Sequence, residues 1–308
     1  MSTAFLFPGQ GSQQPSMLNN LPEHAEVRKT LNEASEALNE SVYHWGDPIK
    51  LESTVAAQVC LLTSGVASAR MMLKEGAVPD FVAGHSVGTF GAAVVSGVLD
   101  FKDAVRLVRK RGELMESAFP IGYGMAVILG LTEFEVRDLL MDFTNKNKSV
   151  YLANINCPRQ ITVAGSLNEL KQFTKLALEN KAQKAELLEV SVPSHCPLLL
   201  DVSISLEAEL EKLALRKPAI PFAGNRRGRI LRTSEAIKRD LAWNVSQSVK
   251  WHEATSLLYE LGVRLFIEMP PGNVLTGLVN QSFSAARGLS ISDSGPHTAA
   301  VLAHRLNN

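Results

Sequence analysis

A serine flanked by glycines lies in the segment Gly84–Gly88, whose sequence GHSVG fits the pattern G-x-S-x-G. In enzymes with this pattern the serine occupies a strained turn between a strand and a helix, and the turn exposes its hydroxyl. The apolar run Phe81–Ala83 precedes the segment, and a stretch rich in Ala and Val follows it, which predicts that strand and helix. The pattern therefore predicts that Ser86 is a nucleophile. A plain glycine-rich turn with a surface serine is the alternative.

A serine hydroxyl is a weak nucleophile until a base removes its proton during the attack. His195 is the candidate base, because the segment Val190–His195 (VSVPSH) forms a loop after a predicted strand. His85 is a competitor, but neighbouring residues at a sharp turn point apart, so we expect it to be structural. Asp201 and Asp240 could orient the histidine ring, as an acid commonly does. Neither carries a pattern, so a main-chain carbonyl stays open as the orienting acceptor.

A second glycine-rich segment, Phe7–Gln13 (FPGQGSQ), differs from a nucleotide-binding loop. It lacks the Gly-Lys-Ser/Thr ending of a phosphate loop, and its third Rossmann position is Gln14. Small residues let a main-chain N–H approach a reacting carbonyl, so the segment fits an oxyanion-binding loop better.

Composition and charge exclude several classes of function. The 308 residues are 45% hydrophobic and include 31 Lys plus Arg and 31 Asp plus Glu, so a large core is possible and the formal net charge is zero. Without a positive field, nucleic acid is not an expected partner. We find no signal peptide and no run of about 18 apolar residues, which predicts a cytoplasmic protein without a membrane partner.

The cysteines and histidines give no sign of a metal or redox centre. Cys60, Cys157 and Cys196 form no CxxC pair, and no histidine falls in an HExxH arrangement. We expect reduced thiols, no metal and no cofactor.

The elements that must position these residues follow an α/β order. The run Thr3–Phe7 predicts a buried strand, Thr54–Lys74 a long buried helix, and residues 101–117 a helix with arginines among its apolar positions. Between residues 124 and 190 the pattern changes to strand, helix, two strands, helix and strand, with predicted bounds at 125–129, 132–143, 150–155, 160–164, 168–178 and 185–190.

This βαββαβ order is that of a ferredoxin-like unit. We predict an α/β-hydrolase-like body with a parallel sheet and a nucleophile elbow, formed by residues 1–122 and 191–308 and ending with a strand at Leu265–Glu268. A ferredoxin-like subdomain, residues 123–190, is inserted into it.

Taken together, these segments resemble the malonyl-CoA:acyl-carrier-protein transacylase family. Phe7–Gln13 is similar to the N-terminal signature of the family, and Gly84–Gly88 to its nucleophile motif. Arg109–Met115 is similar to its arginine helix, and Val190–His195 to its histidine loop. The resemblance continues almost to the C-terminus through Asn154–Asn156, Val163–Gly165 and Gly272–Gly277.

The resemblance implies catalytic roles for five residues. Ser86 is the implied nucleophile and His195 the general base. The main-chain N–H groups of Gln10 and Val87 are the implied oxyanion hole. The main-chain carbonyl of Asn244 is implied to hold the histidine ring, which explains why no acid is found.

The resemblance also implies a substrate pocket. Arg111 matches the arginine that pairs with the free carboxylate of the malonyl group, and Gln10, Met115 and Asn154 are placed beside it. A guanidinium offers two parallel donors to a carboxylate, so the pairing is chemically reasonable. Taken by itself, Arg111 would be read as a solvated helix charge.

The implied reaction moves a malonyl group from malonyl-CoA through Ser86 to the phosphopantetheine-type thiol of a carrier protein. The segments Thr89–Ala93, Tyr151–Gln160 and Asn225–Arg232 look more like the epsilon subunit of malonate decarboxylase. The carrier subunit of that system is therefore the predicted acceptor, and acyl carrier protein of fatty acid synthesis is the alternative.

Two other classes stay open. The serine motif also occurs in hydrolases, although the order Ser, Arg, His and the missing acid argue against one. A noncatalytic docking subunit is the other, because four arginines cluster at Arg226, Arg227, Arg229 and Arg232.

Overall fold

Two separate sheets organise the chain in the computed structural model, which describes residues 2–119, 121–144 and 149–307. Met1 and Asn308, the ends of the predicted body, lie outside these residues. The first sheet has the strand order β10-β9-β1-β2-β7-β8, and every pair except β7–β8 is parallel. Its strands are β1 Ser2–Phe7, β2 Phe81–Gly84, β7 Phe222–Ala223, β8 Ile230–Leu231, β9 Val263–Glu268 and β10 Arg287–Ser290. The predicted α/β class with a parallel sheet is confirmed.

The second sheet is antiparallel and lies entirely between residues 123 and 187. Its strand order is β4-β5-β3-β6. The strands are β3 Tyr123–Leu129, β4 Val150–Cys157, β5 Gln160–Ser166 and β6 Lys184–Leu187, and the helices between them are α5 Glu133–Thr144 and α6 Leu167–Glu179. Phe143 and Phe173 pack edge to face, with ring centroids 5.4 Å apart, in a core that belongs to this sheet.

The remaining helices surround the first sheet. They are α1 Ala25–Leu38, α2 Thr54–Lys74, α3 Gly88–Val95, α4 Phe101–Ala118, α7 Leu200–Glu211, α8 Ser234–Trp243, α9 Trp251–Glu260, α10 Val274–Ser282, α11 Ile291–Ser294 and α12 Pro296–Asn307. By length and composition α2 is the one described helix that could cross a membrane, but 89% of its most apolar stretch is buried inside the protein. Buried core helices commonly have this composition.

Two predictions about the strands are wrong, and strands β4 and β5 each run two residues beyond their predicted ends. The strand predicted over 185–190 stops at Leu187. The N–H of Val190 donates to the carbonyl of Leu188 at 2.8 Å, which turns the chain away from the sheet. The strand Val263–Glu268 does not end the body, because β10 pairs beside it; β10 (RGLS) is too short and too polar to show an apolar run.

The two sheets are joined where β4 meets the chain that follows α8. The N–H of Ile155 donates to the carbonyl of Val249, and the N–H of Val249 donates to the carbonyl of Ala153, both at 2.9 Å. This bridge fixes the second sheet against the segment that begins at Asn244.

Strand β1 and helix α3 approach each other so closely that only glycine fits at Gly88. A Cβ atom there would lie 2.1 Å from the main-chain oxygen of Phe7. We expect Gly88→Ala to lower the free energy of unfolding by about 3 kcal/mol or more, because rigid backbone must move. Urea unfolding would measure the change.

Gly277→Ala is the matched control, since a Cβ there meets no atom within 4 Å on an exposed turn of α10. This variant should be unchanged or more stable by about 0.5–1 kcal/mol. Equal unfolding midpoints for the two variants would contradict the steric argument.

Candidate active site

Ser86 lies in the turn between β2 and α3, as its spacing predicts. Its φ angle of 54° is in the left-handed region, which is unfavourable for a side chain with a Cβ. Such strain costs on the order of 1–3 kcal/mol and persists only where the surroundings enforce it. Here Asn225 enforces it: its Oδ1 accepts from the N–H of Ser86 at 2.9 Å, and its Nδ2 donates to the carbonyl of Gly84 at 2.6 Å.

His195 lies beside the serine although the two residues are 109 positions apart along the chain. Its Nδ1 is 2.5 Å from the main-chain oxygen of Asn244, and its Nε2 is 2.8 Å from Ser86 Oγ. A carbonyl can only accept, so Nδ1 carries the proton and Nε2 is free to accept from the serine hydroxyl. The structure therefore assembles a Ser–His pair, and a main-chain carbonyl takes the place of the acid that usually orients the histidine.

The electrostatic environment keeps this histidine neutral. Burial, followed by the nearby cation of Arg111, lowers the pKa of His195 to about 3. The ring is therefore in the neutral form, which is the form that can accept a proton from the serine hydroxyl.

The other candidates for base and orienting acid do not reach these atoms. His85 Nε2 lies 3.0 Å from Asn156 Oδ1, and its ring packs edge to face on Trp251. Asp201 is exposed on α7. The carboxylate of Asp240 is buried but accepts from main-chain N–H groups instead of the histidine ring. The sequence left open an acid or a main-chain carbonyl as the group that orients the histidine, and in the structure it is a carbonyl.

Arg111 is a buried cation without a carboxylate partner. It is 1% exposed; one terminal nitrogen donates to Gln58 Oε1 at 2.7 Å and the other to Ser86 Oγ at 3.2 Å, while Nε has no hydrogen-bond partner within residues 2–119, 121–144 and 149–307. Burial lowers the pKa of Arg111 to about 9, so it stays charged at neutral pH. Its guanidinium forms no ion pair among the described residues. An unpaired buried cation is costly, so a bound anion would stabilise it.

The residues expected from the sequence converge on one small cavity of about 70 Å³. Its walls include Gln10, Ser86, Arg111, Met115, Asn154 and His195. Val87 lies between the serine and Gly88, the first residue of α3. The buried Asn154 Oδ1 has no hydrogen-bond partner among the described residues. The structure thus brings together every site residue named from the sequence.

A larger groove of about 660 Å³ adjoins this cavity. Gln10, Leu188 and Val190 line both spaces. The groove is bounded by the N-terminal loop on one side and by the start and end of the second sheet on the other, so a long ligand could reach Ser86 through it.

Sequence reasoning missed the residues that hold these groups in place. Gln58 lies inside the apolar helix α2, is 1% exposed and positions Arg111. A lone amide on a buried helix rich in Ala, Val, Leu and Met is the signal that could have identified it. Asn225 gives no such signal, because it stands between a glycine and a run of arginines, of which Arg227 and Arg229 are exposed.

Fold and site together define a class, that of α/β enzymes with a buried Ser–His pair. The family described as acyl transferase domain matches residues 4–301, and the chain belongs to that family. It is an acyltransferase, as the resemblance predicted.

The relatives and solved structures agree on the kind of acyltransferase. The malonyl CoA-acyl carrier protein transacylase of Bacillus subtilis (strain 168) is 38% identical over 94% of this chain and 93% of its own. The crystal structure of FabD from Acinetobacter baumannii is 36% identical, with a TM-score of 0.94 over 99% of both chains. A structure of PlMCAT with AntF, described as a type II PKS acyl-carrier protein in complex with its malonyl-transacylase, is 33% identical, with a TM-score of 0.92 over 100% of both chains.

The lowered pKa of His195 has a measurable consequence. We expect Ser86 to react with a fluorophosphonate at a nearly constant rate from about pH 8 to 5.5, where a histidine of unperturbed pKa about 6.5 would be about 90% protonated. The inactivation rate, followed by intact mass, would show the acid limb of the profile.

His195→Gln supplies the background rate for this experiment. An acid limb centred near the unperturbed pKa would show that burial does not control the titration.

Proposed function

We propose that this chain transfers a malonyl group from malonyl-CoA to Ser86 and from there to the thiol of a carrier protein. One observation carries the proposal: the unpaired, buried guanidinium of Arg111 lies 3.2 Å from the hydroxyl that His195 can deprotonate. A nucleophile and a carboxylate receptor are thereby held within the length of one small acyl group.

In the first half-reaction Ser86 Oγ attacks the thioester carbonyl carbon while His195 Nε2 takes the hydroxyl proton. The main-chain N–H groups of Gln10 and Val87 stabilise the oxyanion of the tetrahedral intermediate. The C–S bond then breaks, and the imidazolium returns its proton to the coenzyme A thiolate. Asn244 stabilises the imidazolium through its carbonyl at Nδ1.

In the second half-reaction the carrier thiol gives its proton to His195 and attacks the acyl-serine ester. Collapse of the intermediate breaks the bond to Ser86 Oγ, which recovers its proton from the imidazolium. Each acyl bond broken is replaced by one formed, so the transfer needs no metal and no cofactor.

Arg111 gives the selectivity for malonyl. Its two forked donors match the free carboxylate, whereas an acetyl group would leave the cation buried and unpaired. Sites that depend on such a polar partner reject analogues lacking it by roughly 10⁴-fold or more, while a missing methylene changes selectivity only about 10–200-fold. Gln58 orients the guanidinium by accepting a hydrogen bond from one of its terminal nitrogens.

Met115 and Asn154 complete the wall around the acyl group. Met115 is 1% exposed, and its sulfur accepts from Gln58 Nε2 at 3.4 Å. It therefore supports the arginine as well as the cavity. The unpartnered Oδ1 of Asn154 leaves the amide free to bond to a substrate.

The turn at Ser86 acts as a nucleophile elbow in this proposal, and residues 123–190 act as a ferredoxin-like subdomain. The βαββαβ order and the antiparallel sheet of those residues support this assignment. Leu188 and Val190 line both the cavity and the groove, so the subdomain would cover the acyl group and guide the pantetheine arm of either substrate.

The carrier is the acyl carrier protein rather than the carrier subunit of malonate decarboxylase. The relatives reported above are named as acyl carrier protein transacylases, and one of them is seen with its acyl-carrier protein. The predicted malonate decarboxylase carrier rests on sequence segments alone, among them Thr89–Ala93 and Asn225–Arg232, and is kept as the second candidate.

Three arginines form a candidate docking surface for the acceptor. Arg227, Arg229 and Arg232 are exposed and form no ion pair in the described part of the chain; the first two line a pocket of about 350 Å³ at the start of α8. Carrier proteins that present acidic surfaces would be attracted to this cluster.

Intact mass after brief mixing with malonyl-CoA or acetyl-CoA tests the proposed reaction. We expect a malonyl adduct on the unmodified chain and none on Ser86→Ala. Arg111→Ala should form the malonyl adduct slowly, because the carboxylate receptor is gone. The ratio of the malonyl to the acetyl loading rate should fall by roughly 10³-fold or more.

Arg109→Ala is the control for the loss of a helix arginine, since Arg109 is part-exposed and pairs with Glu113. Malonyl loading of Ser86→Ala at the unmodified rate would refute the proposed nucleophile. An undiminished preference for malonyl in Arg111→Ala would refute the carboxylate receptor.

Side-by-side loading of the two carriers tests the acceptor. With equal concentrations of acyl carrier protein and malonate decarboxylase carrier subunit, we expect kcat/KM to favour the acyl carrier protein. Faster loading of the malonate decarboxylase carrier would reverse the assignment and leave the chemistry at Ser86 unchanged.

Charge reversal at Arg227 and Arg229 separates docking from chemistry in the same assay. Arg227→Glu with Arg229→Glu should raise the KM for the carrier about 10-fold or more, because attraction becomes repulsion, and leave acylation by malonyl-CoA unchanged. Equal effects on both half-reactions would show that the arginines do not dock the carrier.

A further inference from the structure

A closed ring of hydrogen bonds links Ser86 to the residue that orients His195, and two of its members have no role in the site as described above. The ring consists of Ser86, Thr89, Asn244, Asp240 and Asn225. All five residues are buried. Thr89 and Asp240 are the two members without an assigned task.

Thr89 joins the serine to the residue that orients the histidine. Its hydroxyl donates to the main-chain oxygen of Ser86 at 2.6 Å and accepts from Asn244 Nδ2 at 3.0 Å. A hydroxyl has one donor, so the direction of both bonds is fixed. One side chain thus contacts both halves of the Ser–His–carbonyl arrangement.

Asp240 makes the same connection from the opposite side. One carboxylate oxygen accepts from the N–H of Asn225 at 2.9 Å, and the other from the N–H of Arg226 at 3.0 Å. Its main-chain oxygen accepts from the N–H of Asn244 at 3.0 Å. Asn225 in turn holds the N–H of Ser86, which closes the ring.

We propose that Thr89 and Asp240 are positioning residues, which act through this ring to fix the distance between Ser86 Oγ and His195 Nε2. The inference rests on the proposed transfer through Ser86. The imidazole is held at Nδ1 by Asn244, and the serine is held at its main-chain N–H and carbonyl. The ring ties both supports to one frame, and a displacement of about 1 Å at such a pair can reduce a rate 10²-fold.

The ring holds Ser86 and Asn244 in place and does not carry charge to the reacting atoms. The carboxylate of Asp240 is directed at main-chain N–H groups of the loop after β7, so it cannot stabilise the imidazolium directly. The Thr89 hydroxyl donates and accepts within the ring and is 0% exposed, so it does not bind substrate. Neither residue touches the reacting atoms.

Thr89→Val keeps the shape of the side chain and removes both hydrogen bonds. We expect kcat for malonyl transfer to fall about 10–100-fold, as for other supporting residues of catalytic groups. The KM for malonyl-CoA should change less than about 3-fold, since Arg111 is untouched. Thr89→Ser restores the hydroxyl and should recover most of the loss.

Thr63→Val is the matched control. Thr63 is 0% exposed on α2, and its hydroxyl has no hydrogen-bond partner among the described residues, so the same chemical change removes no bond. We expect its kcat to equal that of the unmodified chain. Thermal unfolding of every variant would show which of them are folded at the assay temperature.

A double-mutant cycle tests whether the two residues act through one ring. Asp240→Asn converts one accepting oxygen into a donor and should also lower kcat. Since the ring is already open in Thr89→Val, the combined loss should be smaller than the product of the two single losses. The pair of Thr63→Val with Asp240→Asn should give the simple product.

Three results would overturn the proposal: Thr89→Val as active as Thr63→Val, no recovery in Thr89→Ser, or independent losses in the cycle. If Asp240→Asn does not fold, the Thr89 series decides alone. Malonyl transfer by Ser86→Ala at the unmodified rate would refute the proposed function itself. A reaction that depends on Ser86 but is unchanged in Thr89→Val would refute only the positioning role of the ring.

Discussion

The left-handed turn at Ser86 is the constraint on which the site depends. A serine there is strained, and the strain is held by side chains that come from distant parts of the chain. The same turn requires close contact between β2, α3 and the N-terminal strand, because α3 starts directly beneath the main chain of Phe7. Strands β1 and β2 are neighbours in the order β9-β1-β2-β7, and this places Phe7 beside the turn that holds Ser86.

Burial lowers the pKa of both His195 and Arg111, yet the two side chains end in different charge states at neutral pH. The pKa of His195 falls far enough to keep the ring neutral, whereas the pKa of Arg111 starts so high that the same desolvation leaves it charged. A neutral base and an unpaired cation therefore coexist around one hydroxyl.

The second sheet contributes surface more than chemistry. Through the bridge at Val249 it is attached to the same segment that presents the carbonyl of Asn244. Leu188 and Val190, which follow its last strand, close one wall of both the small cavity and the groove. The sheet and the segment that holds the histidine ring are thus joined through main-chain hydrogen bonds of β4.

The sequence by itself determined the local features. Helix α2 has the predicted bounds Thr54–Lys74, and the turn at Ser86 was predictable, because both follow from residues that are neighbours in the chain. His195 was proposed as the base of Ser86 from its loop, whereas the roles of Arg111 and of the Asn244 carbonyl came from resemblance, since no periodicity relates residues so far apart and every residue has a carbonyl. Only the tertiary structure revealed the amide of Gln58 and the ring through Asp240. A buried amide or carboxylate acquires its role from what packs against it, so these contacts were decided by the three-dimensional arrangement.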